Sequence, residues 1–224
     1  DGFHLSHVLE PILLPEQSEV NAFLPPNDYP LPLDPAKPVT MGDFGPPFIY
    51  TEAKWAQEVN LRKSTKTILK CWEEFERIFK RRYHPVECYH SENARVLLLT
   101  MGSFSETAMT AIDQMRGEGK DVGLIKLRLW RPFPFAEIRS AVKDADVLIV
   151  LDRALSTGGP GGPVASEIRS ALYNEDRKPK IVSFVGGLGG RDITANGFQE
   201  MVNRGIEIAK TGSKQEFEIF GVKE

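Results

Sequence analysis

The chain has 224 residues, 41% of them hydrophobic and 26% charged, with a formal net charge of −3. That balance excludes global disorder and a strongly basic binder of nucleic acid or anionic membrane, and the length suits one large domain or a domain with a substantial extension. No apolar run approaches the roughly 18 residues that span a bilayer, and Asp1-Gly2-Phe3 opens no basic-then-apolar leader, so no signal peptide is expected.

Ten of the 16 prolines precede Phe48. Proline lacks an N–H and restricts the residue before it, so no regular helix or central strand is expected across 11–47. The same stretch carries Val20, Phe23, Leu24, Tyr29, Leu31, Leu33 and Phe44, too apolar for a solvated linker. It reads as an extended arm lying on another surface, which this chain alone does not have to provide. A helix follows over 52–82, with Trp55 and Val59, then Ile68, Trp72, Phe75 and Phe79, at helical spacing. Thr51 is its expected N-cap, Lys80-Arg81-Arg82 suits its C-terminal end, and Pro85 closes it. The mixed charges in its middle, Arg62, Lys63, Lys66 and Lys70 with Glu73, Glu74 and Glu76, read as a solvated face.

From residue 94 the pattern changes to alternating strands and helices. Strands are expected at Ala94–Thr100, Val122–Leu129, Val147–Asp152 and Ile181–Val185. Helices are expected at Glu106–Arg116, Phe135–Val142, Val164–Tyr173 and Gly197–Lys210. The strands are continuously rather than alternately apolar, as when both sheet faces are covered. The fold class is therefore α/β, a mostly parallel sheet flanked by helices. In such a sheet function sits where loops leave the C-terminal strand ends. Those loops are Thr100–Ser103, Arg131–Pro134, Asp152–Ser156 and Gly186–Asp192.

The local chemistry is sparse. Cys71 and Cys88 cannot build a disulfide framework or supply the roughly four thiolates of an iron–sulfur cluster, so both are read as small buried hydrophobes in a reduced, cytoplasmic setting. His4 and His7 lie far in sequence from His84 and His90, and no metal site is expected. Gly158-Gly159-Pro160-Gly161-Gly162-Pro163 stands before a helix, where backbone N–H groups can converge on an anion. Its order matches neither GxGxxG nor a P-loop, which leaves a turn or a close backbone contact as the expected role. Gly186-Gly187-Leu188-Gly189-Gly190-Arg191-Asp192 is a second glycine loop, with Asp192 or Thr194 capping the next helix. Its plain reading is a tight turn with an Arg–Asp pair at an interface, and its sharper one an Arg191 facing a ligand. Asp152-Arg153 is a similar pair, placed to orient a loop. Asp152, Arg153, Gly187, Gly189, Arg191 and Asp192 are thus the candidate interface or ligand residues, and no catalytic residue stands out.

Several stretches resemble a known family when taken together: DGFHLSH (Asp1–His7), Pro38–Gly42, Thr100–Ser103, KLRLWRPFP (Lys126–Pro134), VLDRALSTG (Val150–Gly158) and GGLGGRDIT (Gly186–Thr194). The chain resembles the C-terminal part of the alpha chain of the 2-oxoacid:ferredoxin oxidoreductases, of the pyruvate and 2-ketoisovalerate types. The resemblance implies oxidative decarboxylation of a 2-oxoacid, pyruvate being the common case, with the acyl group passed to coenzyme A. Thiamine diphosphate with Mg and [4Fe–4S] clusters would serve the whole complex, and none would be bound by this chain alone. The implied partners are the remaining alpha-chain domain, the beta, gamma and delta chains or domains, and ferredoxin, with no nucleic acid or membrane. It also implies three segments. Residues 1–10 would form the last strand of a pyrimidine-side thiamine domain, 11–93 an arm and linking helix, and 94–224 a domain like the C-terminal domain of transketolase. The family's substrate and cofactor contacts lie ahead of Asp1, in a domain preceding it or encoded separately, so none is carried onto this sequence. The segment is expected to be architectural and inactive by itself, with residues 1–90 stabilised by other polypeptide. The alternative is a module that binds coenzyme A or another phosphorylated ligand at Gly158–Gly162 or Gly187–Arg191.

Overall fold

The computed structural model describes residues 11–26, 29–40, 42, 44–212 and 215–223. The terminal strand expected at 1–10, with His4 and His7, lies outside the described residues. The chain divides into two compact units, one of them Glu10–His84 and the other containing Pro85–Glu224. The boundary falls nine residues before the one expected at 93/94.

In the first unit, α1 (Gln17–Phe23) occupies the stretch between Pro15 and Pro25, so a helix does form within 11–47. The reason is local: that interval is free of proline, and Glu16 and Glu19 close a reciprocal capping box in which the Glu16 N–H donates to Glu19 at 3.0 Å. α2 (Pro47–Phe79) runs 33 residues and starts well before Thr51. Pro47 takes the first helical position, where its missing N–H costs nothing, so Thr51 lies inside the helix and is not its cap. Lys80 ends the helix in a left-handed conformation, φ 58°. The Phe23 ring stands edge-on to Phe75 and Phe79, with centroids at 5.4 and 5.7 Å, which joins α1 to the stripe read from the sequence. The charged middle of α2 is a solvated face: Arg62–Glu58 and Lys70–Glu74 are exposed pairs one turn apart. Leu13, Leu33, Phe44 and Phe48 are exposed by 97, 87, 82 and 79%, so the described residues leave these apolar side chains uncovered.

The second unit is a six-stranded sheet. Its elements are β1 (Val86–Tyr89), β2 (Val96–Met101), α3 (Phe104–Gly117), β3 (Val122–Leu127), α4 (Phe135–Val142), β4 (Val147–Asp152), α5 (Pro163–Leu172), β5 (Lys180–Val185), α6 (Ala195–Thr211) and β6 (Glu218–Ile219). The order across the sheet is β1-β3-β2-β4-β5-β6, all parallel except β1, which pairs antiparallel with β3. The pleat sends alternate residues of β2 to opposite faces. Leu98 packs with α3 and α6, while Leu97 and Leu99 pack with α4 and α5. Both faces are covered, which is why the strands read as unbroken apolar runs. Each fully buried leucine contributes about 1.5–3 kcal/mol. Gly205 lets α6 sit close to the sheet, since a Cβ there would lie 2.5 Å from Ile149 Cδ1.

β1 and β6 have no counterpart among the strands expected from the sequence. VECY is too short and too polar to signal a strand, and β6 has two residues; both exist because a sheet edge is there to receive them. β1 also draws residues 86–89 into the α/β unit, which moves the boundary. Going outward, β2 leads to β3 on one side and β4 to β5 on the other, so the topological switch point lies between the C-terminal ends of β2 and β4. No helix among the described residues is long and apolar enough to cross a membrane.

Candidate functional site

The candidate residues gather at the C-terminal ends of β4 and β5. Asp152 ends β4 and is 1% exposed. It does not face a ligand space. Its Oδ1 accepts the Val164 N–H at 2.8 Å and its Oδ2 accepts the Ala165 N–H at 3.0 Å. Those are the second and third residues of α5, so an internal carboxylate occupies the anion position that the glycine run and helix N-terminus create. Gly162 is required there because a Cβ would lie 2.0 Å from Asp152 Oδ2. Its φ of −80° is open to any residue, so the constraint is contact and not backbone strain. Burial pushes the Asp152 carboxyl above its usual range, against the two N–H donors and the Arg169 charge, which pull it down. The rest of the run folds on itself: Ser156 N–H donates to Gly161 O at 2.9 Å, and Gly161 lies against the Phe217 ring. The close-contact role expected of this run is what its geometry displays.

Arg153 does not pair with its neighbour. Its guanidinium lies 4.4 Å above the Phe104 ring, and burial lowers its pKa. Gly187, at φ 71°, completes this stack, since a Cβ there would sit 2.5 Å from Phe104 Cε2 and 3.4 Å from Arg153 Nε. Phe104 opens α3 after β2, and Gly187 follows β5. The β2–α3 turn and the loops after β4 and β5 thus meet in this stack. Gly189, at φ 63°, shapes the turn before α6. Arg191 donates from Nη1 to the Gly221 carbonyl instead of pairing with Asp192. Thr194 caps α6 by accepting the Gly197 N–H at 3.2 Å, so of the two expected caps Thr194 holds the position and Asp192 does not.

Sequence reading missed three groups here. The Thr100 and Ser105 hydroxyls share a buried 2.9 Å hydrogen bond under the β2–α3 turn. Phe104 is the platform for Arg153. Glu87 of β1 takes Lys126 at 3.3 Å and Arg128 at 2.7 Å, beside a cavity of about 430 Å³ at the ends of β2 and β3. The alternating charge in KLRLWR was visible, but its partner came from a strand that was not.

Cys71 and Cys88 are both exposed, against the expectation of burial. Cys71 lies on α2, in the helical unit, and Cys88 on the edge strand β1; neither position is in the core. Among the described residues no three or more His, Cys, Asp or Glu side chains are placed to hold a metal ion.

Residues 94–198 match the family profile described as pyruvate:ferredoxin oxidoreductase core domain II. The chain is 41% identical over 204 residues to the pyruvate synthase subunit PorA of Methanothermobacter thermautotrophicus, covering 91% of this chain and 52% of that one. It is 38% identical over 219 residues to the PorA subunit of Pyrococcus furiosus, covering 96% and 53%. The chain thus spans about half the length of these curated relatives. Among solved structures, 2-oxoglutarate:ferredoxin oxidoreductase from Magnetococcus marinus, with 2-oxoglutarate, coenzyme A and succinyl-CoA bound, matches with a TM-score of 0.42 at 20% identity, over 65% of this chain and 23% of that one.

Proposed function

Residues 94–198 belong to the pyruvate:ferredoxin oxidoreductase core domain II family, and from that premise we propose that the chain is the alpha-chain portion of a thiamine diphosphate-dependent 2-oxoacid:ferredoxin oxidoreductase. The similarity that carries this reading is the 41% identity to a pyruvate synthase subunit over 91% of the chain. Pyruvate is the substrate we assign. The C1–C2 bond of the oxoacid breaks, CO2 leaves, and the acyl carbon bonds to the coenzyme A sulfur. The thiol proton is released, and two electrons pass singly to two ferredoxins. The other alpha-chain domain and the beta, gamma and delta chains or domains are the partners, in the cytoplasm.

The described residues do not fit the cofactors themselves. The chain's two cysteines fall short of the roughly four thiolates an iron–sulfur cluster takes. The helix N-terminus best formed for a diphosphate already receives Asp152. No step of the reaction is therefore assigned to a residue of this segment. Its role in this reading is architectural. The α/β unit presents the half-buried Arg153, seated on Phe104 beside the buried Asp152 and Gly187, to the rest of the assembly, and the apolar arm packs on other polypeptide. The same Asp152 contact argues against a phosphate group binding at Gly158–Gly162.

The test is to purify the assembly through a tag on this chain and assay viologen reduction with coenzyme A and pyruvate, 2-ketoisovalerate or 2-oxoglutarate. Coenzyme A-dependent reduction fastest with pyruvate is expected. Reduction with no 2-oxoacid at all would overturn the reading, and preference for another oxoacid would overturn its substrate. In the same assembly, Gly187→Ala should lower the yield of intact complex without changing the KM for coenzyme A. A raised KM for coenzyme A at unchanged yield would favour the alternative, capture of a phosphorylated ligand at Gly187–Arg191.

A further inference from the structure

We draw no further inference here: the strongest candidate, the cavity at the outer edge of β5 where the buried Ser183 hydroxyl has no partner, is lined by Gly212 and Gln215 on either side of two residues outside the described ones, so nothing in the structure shows what fills it.

Discussion

Replacing Gly162 with alanine tests the internal cap directly. The new Cβ would lie 2.0 Å from Asp152 Oδ2 and 2.1 Å from Cγ, both in a fully packed place. Backbone strain contributes nothing, since φ −80° and ψ 146° suit alanine. Either α5 shifts off the sheet or the carboxylate leaves its two N–H donors. A displaced carboxylate loses charge-assisted hydrogen bonds worth about 1.5–3 kcal/mol each, and overpacking costs about 1–3 kcal/mol. Partial relaxation keeps the total below the sum, and a loss of about 4 kcal/mol is expected. With a urea m-value of about 2–3 kcal/mol/M, the midpoint should fall by about 1.3–2 M. Amide exchange at Val164 and Ala165 should accelerate with it. Asp152→Ala clears the space, so Gly162→Ala should cost clearly less in that background than alone. A midpoint within about 0.2 M of the parent, with Val164 and Ala165 still protected, would refute the reasoning.

Three further outcomes follow from the same geometry. Burial raises the Asp152 pKa above its ordinary 3.8, so the folded state binds this proton more tightly than the unfolded one. Its contribution to stability is therefore full below pH 3.8 and lost as pH rises through the raised folded value. The parent chain should lose stability relative to Asp152→Asn across that rise, and urea midpoints compared from pH 3 upward that moved together would contradict it. Thr194→Ala should cost about 1 kcal/mol by removing the cap of α6, read as a lower melting temperature and faster exchange at Gly197, with Thr194→Ser recovering most of it. Phe23→Ala should release α1 in the first unit, because a seven-residue helix does not stand alone in water. The Leu24 amide, which donates to Val20 O at 2.8 Å, reports this by exchange, and unchanged protection there would be the contrary result.

Much of the α/β unit was legible because its signals are local. Phe135–Val142 and Val147–Asp152 match their expected bounds, and the other strands and helices from residue 94 differ by a few residues at their ends. Continuous apolar strands announced a sheet covered on both faces, and that covering is present. α2 begins at Pro47 and not after Thr51, because the proline that signals a stop inside a helix is also a residue that begins one well. α1 forms in the proline-free gap between Pro15 and Pro25, a local detail that the proline density of the whole arm hides. The candidate site was legible as residue types and not as partners. Asp152 and Arg153 were read as a pair, yet each turns to a residue distant in sequence, Asp152 to α5 and Arg153 to Phe104.

The sequence by itself determined the alternation of strand and helix, the loops at the strand ends and the family resemblance, since each is written in neighbouring residues or in motif order. Only the tertiary structure decided the edge strands β1 and β6, the boundary before Pro85, and the filling of the glycine-run helix end by Asp152. Those depend on which strands become neighbours. Chain order does not state that, because the β2–β4 pairing passes over β3, which lies between them in the sequence.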